Sequence, residues 1–233
     1  MNIKTIIMKK TLSSILILSC FFGEAQEAKD LFTASDVPIC WLGVDFSHVK
    51  LIGDFNEFSS AGEKNVVEIR DKYFPKWNQL ILAEPDKYDV KGMLRKGNII
   101  YEIDMIMKIN AKSATEDMEA YSNPNYSRED ISKWILEYPG KSVSSDLQNA
   151  LGVVLIAESL NKYTTEAYFH FVAINLKTKE VLVHSRLRGE PMGFGLRNYW
   201  AGAIYKVMKS IEKTHYKSWK SKYTRTTQGT SRH

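Results

Sequence analysis

Apolar positions along this chain follow two periods, and the places where the period changes divide it into elements. Pro38 opens a largely apolar stretch at 39–46, which predicts a strand, with Val49, Leu51 and Ile52 continuing it beyond a bend. A Ser- and Gly-rich loop follows at 56–64. Val66, Ile69, Tyr73, Trp77, Leu80 and Ile81 recur at helical spacing over 63–83, and Pro75 predicts a break or kink near Phe74. Tyr101, Ile103, Met105, Met107 and Ile109 alternate with polar residues, with Ile106 the exception, which predicts a strand at 101–109. Asn123-Pro124-Asn125 is a turn. Ser127 followed by Asp130 is a capping box that opens a helix to about residue 138, and Pro139-Gly140 stops it. A short helical piece is expected at 145–150. Strands at 152–159, 165–176 and 180–188 come without intervening helices, the last two as a hairpin around 177–179. Leu196, Trp200, Ala203, Ile204, Val207 and Ile211 then mark one stripe of a helix over 196–220. The order β-α-β-α-β-β-β-α predicts an α/β (α+β) sandwich: a mixed five-stranded sheet with helices packed on it.

The start of the chain reads as an address. Lys9 and Lys10 precede an apolar run at 12–22, and Gly23-Glu24-Ala25 forms a small-x-small site. This is the pattern of a secretory signal peptide, too short for a permanent span, with cleavage expected after Ala25. The protein is then expected to be periplasmic or secreted. The alternative is lipid attachment at Cys20, since Ile17-Leu18-Ser19-Cys20 resembles a bacterial lipobox, which would make the protein an outer-membrane lipoprotein. Residues 26–222 are read as one globular domain and 223–233 as a basic flexible tail.

Charge sharpens this picture. The net charge of +5 is divided unevenly: 206–233 carries +7, the leader +2, and the body between them −4. The basic C-terminus suits weak contact with anionic surfaces such as membrane headgroups, or is a solvated helix end. Export and an acidic body argue against nucleic-acid binding. A 44% hydrophobic and 12% aromatic composition supports a packed core. Only Cys40 survives cleavage, so no internal disulfide is expected, and its apolar neighbours predict a buried, unreactive thiol.

Candidate chemistry concentrates at 186–200. Arg186 and Arg188 end a strand, Gly189, Gly193 and Gly195 permit close approach and positive φ, and Arg197, Asn198, Tyr199 and Trp200 start the last helix. Such a loop suits an anion, or only shapes a strand-to-helix connection. Asp45, Ser47 and His48 follow the first strand, but three residues so close in sequence do not make a hydrolase triad, and no Gly-x-Ser-x-Gly elbow occurs. His170 and His184 lie on the two hairpin arms, and the loop length decides whether they share a face. No HExxH or CxxC is present, and the acidic groups around Asp86 and Asp117 lack a calcium-loop pattern, so no metal or cofactor is expected.

The element order resembles the N-terminal domain of the Tol-system translocation protein and the curli-secretion and penicillin-binding-protein-activator lipoproteins. In those families a strand, a turn and a strand precede the last helix, where this chain has Asn175-Leu176-Lys177-Thr178-Lys179-Glu180-Val181, without the turn's usual Asp or Gly. The stretch from Gly193 to Trp200 also resembles uncharacterised exported proteins of the Bacteroidetes type. The resemblance implies a non-enzymatic envelope accessory or binding protein. Its contact surface would be Arg188, Gly193, Gly195, Arg197, Asn198 and Trp200, and its partner an envelope protein or a second copy of itself. The alternative is a small-ligand or anion binder, or a hydrolase, with a pocket lined by Asp45, Arg188 and Arg197.

Overall fold

The apolar run behind Pro38 forms strand β1 (Ile39–Asp45). In the computed structural model, which describes residues 27–34, 37–55, 65–139, 147 and 149–225, β1 is an inner strand of a seven-stranded sheet. The expected leader, the loop 56–64, half of the piece at 145–150 and residues 226–233 lie outside the described residues.

The long strand β5 (Leu151–Asn161) organises the sheet. β1 runs parallel to its first part, from Ile39 opposite Leu151 to Asp45 opposite Ile156. The short strand β2 (Lys50–Ile52) runs parallel to its end, from Lys50 opposite Ser159 to Ile52 opposite Asn161. β1 and β2 are therefore one line of the sheet, interrupted at 46–49, as the bend in the sequence implied. The next line out is interrupted too. β3 (Ile100–Tyr101) pairs with β1 and β4 (Glu119–Ala120) pairs with β2. β6 (Glu166–Asn175) and β7 (Val181–Gly189) complete the other side as an antiparallel hairpin. The mixed sheet thus has five lines in seven pieces, and the chain is an α/β fold.

Helices cover both faces. One face packs helix α1 (Asp30–Thr33), α3 (Phe74–Ala83), α4 (Val90–Leu94), α7 (Gly195–Ser210) and α8 (Tyr216–Thr224), with Trp41, Trp77, Phe171, Trp200 and Trp219 in its core. The other packs α5 (Asp104–Asn110) and α6 (Arg128–Glu137) onto Cys40, Leu42, Val154, Ile156 and Val172. Each fully buried large apolar side chain stabilises by about 1.5–3 kcal/mol, so this two-sided burial holds the fold without a disulfide; Cys40 is buried and free.

Three local outcomes matter for the site. The predicted strand at 101–109 keeps only its first residue as strand and becomes α5. Its buried positions, Met105, Ile106 and Asn110, follow a helical rather than an alternating spacing. Pro75 does not break its helix. The turn before it widens instead: α2 (Val66–Glu68) runs into a π-helical segment, Ile69–Tyr73, with Phe74 N–H donating to Ile69 O, and α3 continues. The box at Ser127 forms as expected, the Ser127 Oγ accepting from Asp130 N–H while the Asp130 carboxylate accepts from Ser127 N–H.

Candidate functional site

β3 ends at Tyr101, so the outer edge of β1 beyond Trp41 has no strand partner, and buried side chains satisfy its main-chain groups. Val44 N–H donates to Asn78 Oδ1 at 2.7 Å, and Val44 O accepts from both Asn78 Nδ2 and Asn110 Nδ2 at 2.9 Å. Phe46 N–H donates to Asn110 Oδ1 at 2.7 Å. Ser47 N–H donates to Asp45 Oδ1 at 2.8 Å, and Tyr138 O–H to Asp45 Oδ2 at 2.5 Å. Burial, then the Asp45 charge and hydrogen bond, push the Tyr138 phenol well above its usual range, so it remains a donor. Gly43 sits at the start of this network with φ of 103°, where a Cβ would meet Asn78 Oδ1 at 2.5 Å. Every polar group named here is paired, which marks the interruption as a constructed feature.

The turn at 46–49 forms one wall of a cleft of about 490 Å³, lined also by Lys50, Ser113, Asp117, Tyr126, Trp134 and Glu137. The His48 ring lies flat on Trp134, centroids 3.8 Å apart and planes 7° off parallel. Tyr126 meets Trp134 edge-on at 4.7 Å and donates its hydroxyl to His48 O at 3.1 Å. Lys50 Nζ donates to Asp117 O, tying the floor to the loop after α5. Burial lowers the His48 imidazole below its usual value, and the Asp45 and Glu137 charges oppose that shift. A neutral imidazole presents one donor and one acceptor. The cleft therefore offers aromatic surface, an imidazole, a hydroxyl and charges of both signs, the composition of a site for a small polar ligand with an apolar part.

A second polar group lies on the same sheet face. β5 bulges where Ala157 opposes Phe169 and Ser159 opposes Tyr168, leaving Glu158 without a partner on β6. The fully buried Glu158 carboxylate accepts from Arg186 Nε at 2.8 Å and Nη2 at 2.6 Å, and from His170 Nε2 at 2.9 Å. On its other side His170 Nδ1 lies 2.8 Å from His184 Nε2, so the two rings share a hydrogen bond. Burial alone would raise the Glu158 carboxyl; the hydrogen bonds and charges of Arg186 and His170 hold it down at about 2. Burial, His170 and Arg128 push His184 down to about 4, so it stays neutral. His170 and His184 do share a face, and they serve this network; among the described residues no group of His, Cys, Asp or Glu is arranged to hold a metal.

The residues singled out in the sequence do not converge. Asp45 is buried beneath the cleft, its oxygens taken by Ser47 and Tyr138. Arg188 is exposed and paired with Glu166 at 2.6 Å and Glu190 at 2.9 Å. Gly193 and Gly195 adopt φ of 104° and 73°, the conformations their residue type anticipates. Arg197 and Asn198 are exposed on the first turn of α7, whereas Trp200 is only 1% exposed and stacks on Phe55. The side chains of Arg197 and Trp200 therefore do not share one surface. Arg197 belongs to the layer on the Trp41 face, while Asp45 and, by strand alternation with Leu187, Arg188 lie on the opposite face. The sheet stands between them, so a pocket lined by Asp45, Arg188 and Arg197 does not form. Trp134 and Tyr126 were missed as site residues. No sequence signal marked Trp134, because it shares the helical stripe of Ile131, Ile135 and Tyr138 and reads as core.

No protein-family model matches the chain, and no functionally curated protein matches it in sequence. Among solved structures it is similar to a neuraminyllactose-binding hemagglutinin homolog from Helicobacter pylori, with 10% identity over 80% of this chain and 89% of that one. The TM-score of that pair is 0.29, at which neither fold nor function transfers.

Proposed function

We propose that this chain is an exported binding protein of the cell envelope that holds a small polar ligand in the cleft beside His48 without transforming it. One observation carries the reading: two neighbouring lines of the sheet are interrupted at the same level, and a buried Asp45, Asn78, Asn110 and Tyr138 network satisfies the main chain left there, beside an aromatic-lined cleft. Local breaks in strand pairing recur next to functional sites, where they re-aim side chains. Export rests on the leader pattern at 8–25. Native mass spectrometry of protein recovered from its host's envelope fraction tests both parts. The expected result is a chain beginning at Gln26, with bound small-molecule mass in the wild type and none in Trp134→Ala of unchanged circular dichroism. A retained leader on cytosolic protein refutes export, and a wild type without ligand, or a Trp134→Ala variant that keeps it, refutes the cleft.

A second reading is favoured by the loop before α7, where Phe194 is 95% exposed and Met192 48%. An apolar tip of that kind suits docking of an envelope protein, the contact surface expected from the sequence, with Phe194 rather than Trp200 as its anchor.

A further inference from the structure

The end of the chain carries a surface that the cleft does not explain. After α7 the helix widens through a π-helical turn, Ile211–His215, closed by Tyr216 N–H donating to Ile211 O, and continues as α8. This turn sorts the residues sharply. Ile211, Tyr216 and Trp219 point inward, with Trp219 stacked on Phe171 at 4.7 Å and Tyr216 meeting Phe32 edge-on at 5.3 Å. Lys213, Lys217, Lys220, Lys222 and Arg225 are exposed, interleaved with Thr214, Ser218 and Ser221, and several of them line a wide, shallow depression. Glu212 is the last acidic residue of the whole sequence, and it is already engaged: its carboxylate takes Lys209 at 2.7 Å and its carbonyl takes Arg95. The neighbouring end of α4 adds Arg95, whose guanidinium lies over the Tyr216 ring at 4.7 Å, and Lys96. Of the acids before and on α1, Glu27 pairs with Lys29, and Asp30 accepts from Glu27 N–H.

We infer that this face rests on an anionic phospholipid surface. A shallow, one-signed field of flexible ammonium groups, with hydroxyls between them, matches a plane of phosphate headgroups rather than one small anion, which needs an enclosing site. The rest of residues 26–205, at −6 once Arg95 and Lys96 are set aside, is repelled by the same surface, so charge also sets the orientation. This inference is independent of the cleft, which is lined by other elements.

Co-sedimentation of the full chain with vesicles tests it. Vesicles of phosphatidylcholine alone report adhesion that owes nothing to lipid charge, and vesicles with phosphatidylglycerol added report the charged face. The expected result is binding stronger on the anionic vesicles by about tenfold or more, lost at high salt, and lost in the Lys213→Glu, Lys217→Glu, Lys220→Glu variant. A Lys→Gln version of the same triple, whose exposed changes leave the core untouched, is expected to fall between. Equal binding to both vesicles, full binding by the triple variant, or binding to duplex DNA in preference to anionic vesicles overturns the assignment.

Discussion

Replacing Glu158 by Gln removes one charge and nearly no volume from the centre of the buried Arg186, Glu158, His170 and His184 chain. The carboxyl ionises near 2 in the folded protein against an ordinary 4.5. Each unit of such a shift corresponds to about 1.4 kcal/mol, so the ionised form stabilises the fold by at most about 3.4 kcal/mol relative to a neutral isostere. The partly exposed Arg186 recovers some hydration in the variant, which brings the expected cost to about 2–3 kcal/mol at pH 7. The sign with pH follows from the depressed value. The contribution is complete above the ordinary carboxyl range and is lost as pH falls toward the folded value, so by pH 3 the gap between wild type and variant shrinks to less than half. Urea denaturation of both proteins at pH 7 and pH 3, with equal m-values, measures it. A loss below about 0.5 kcal/mol at neutral pH, or a gap that does not narrow in acid, refutes the reasoning.

Gly43→Ala places a Cβ at 2.5 Å from Asn78 Oδ1 at a φ of 103°, and the expected loss is about 2–4 kcal/mol in the same denaturation assay. Burial, with Glu102 adding to it, pushes the Cys40 thiol up to about 12, so the native protein is expected to resist a disulfide reagent at pH 8 and to react at once in denaturant, followed by thiolate release.

Much of the architecture was legible because it follows from single elements. Strands expected at 152–159, 165–176 and 180–188 appear as Leu151–Asn161, Glu166–Asn175 and Val181–Gly189, since apolar runs bounded by turn residues have no better way to bury themselves. The Ser127 box was legible for the same reason: capping is a matter of four consecutive residues. The failure at 101–109 had a visible cause. Ile106 broke the alternation, and with Met105 and Ile109 it fits one helical face, but Asn110 could not be recognised as buried until its partner, the main chain of residues 44 and 46, was known. The cleft was illegible on the same ground. Asp45, Ser47 and His48 were conspicuous, but Trp134, Tyr126 and Ser113 come from distant segments that meet them only because the sheet lines are interrupted. His170 and His184 were undecided from spacing, because the bulge near Ala173 and Ile174 sets which residues of β6 and β7 oppose one another.

The bulge at Glu158 and the two interruptions beside it fall at one level, so a seam crosses the sheet and divides it into plates of unequal grip. On one side β1 follows β5 from residue 39 to residue 45, while on the other β2 holds on through three residues and β4 through two. Within the sheet the smaller plate is therefore expected to open first in amide exchange, and because Lys50 and Met118 line the cleft beside it, whatever settles beside His48 would clamp that plate shut and slow its exchange.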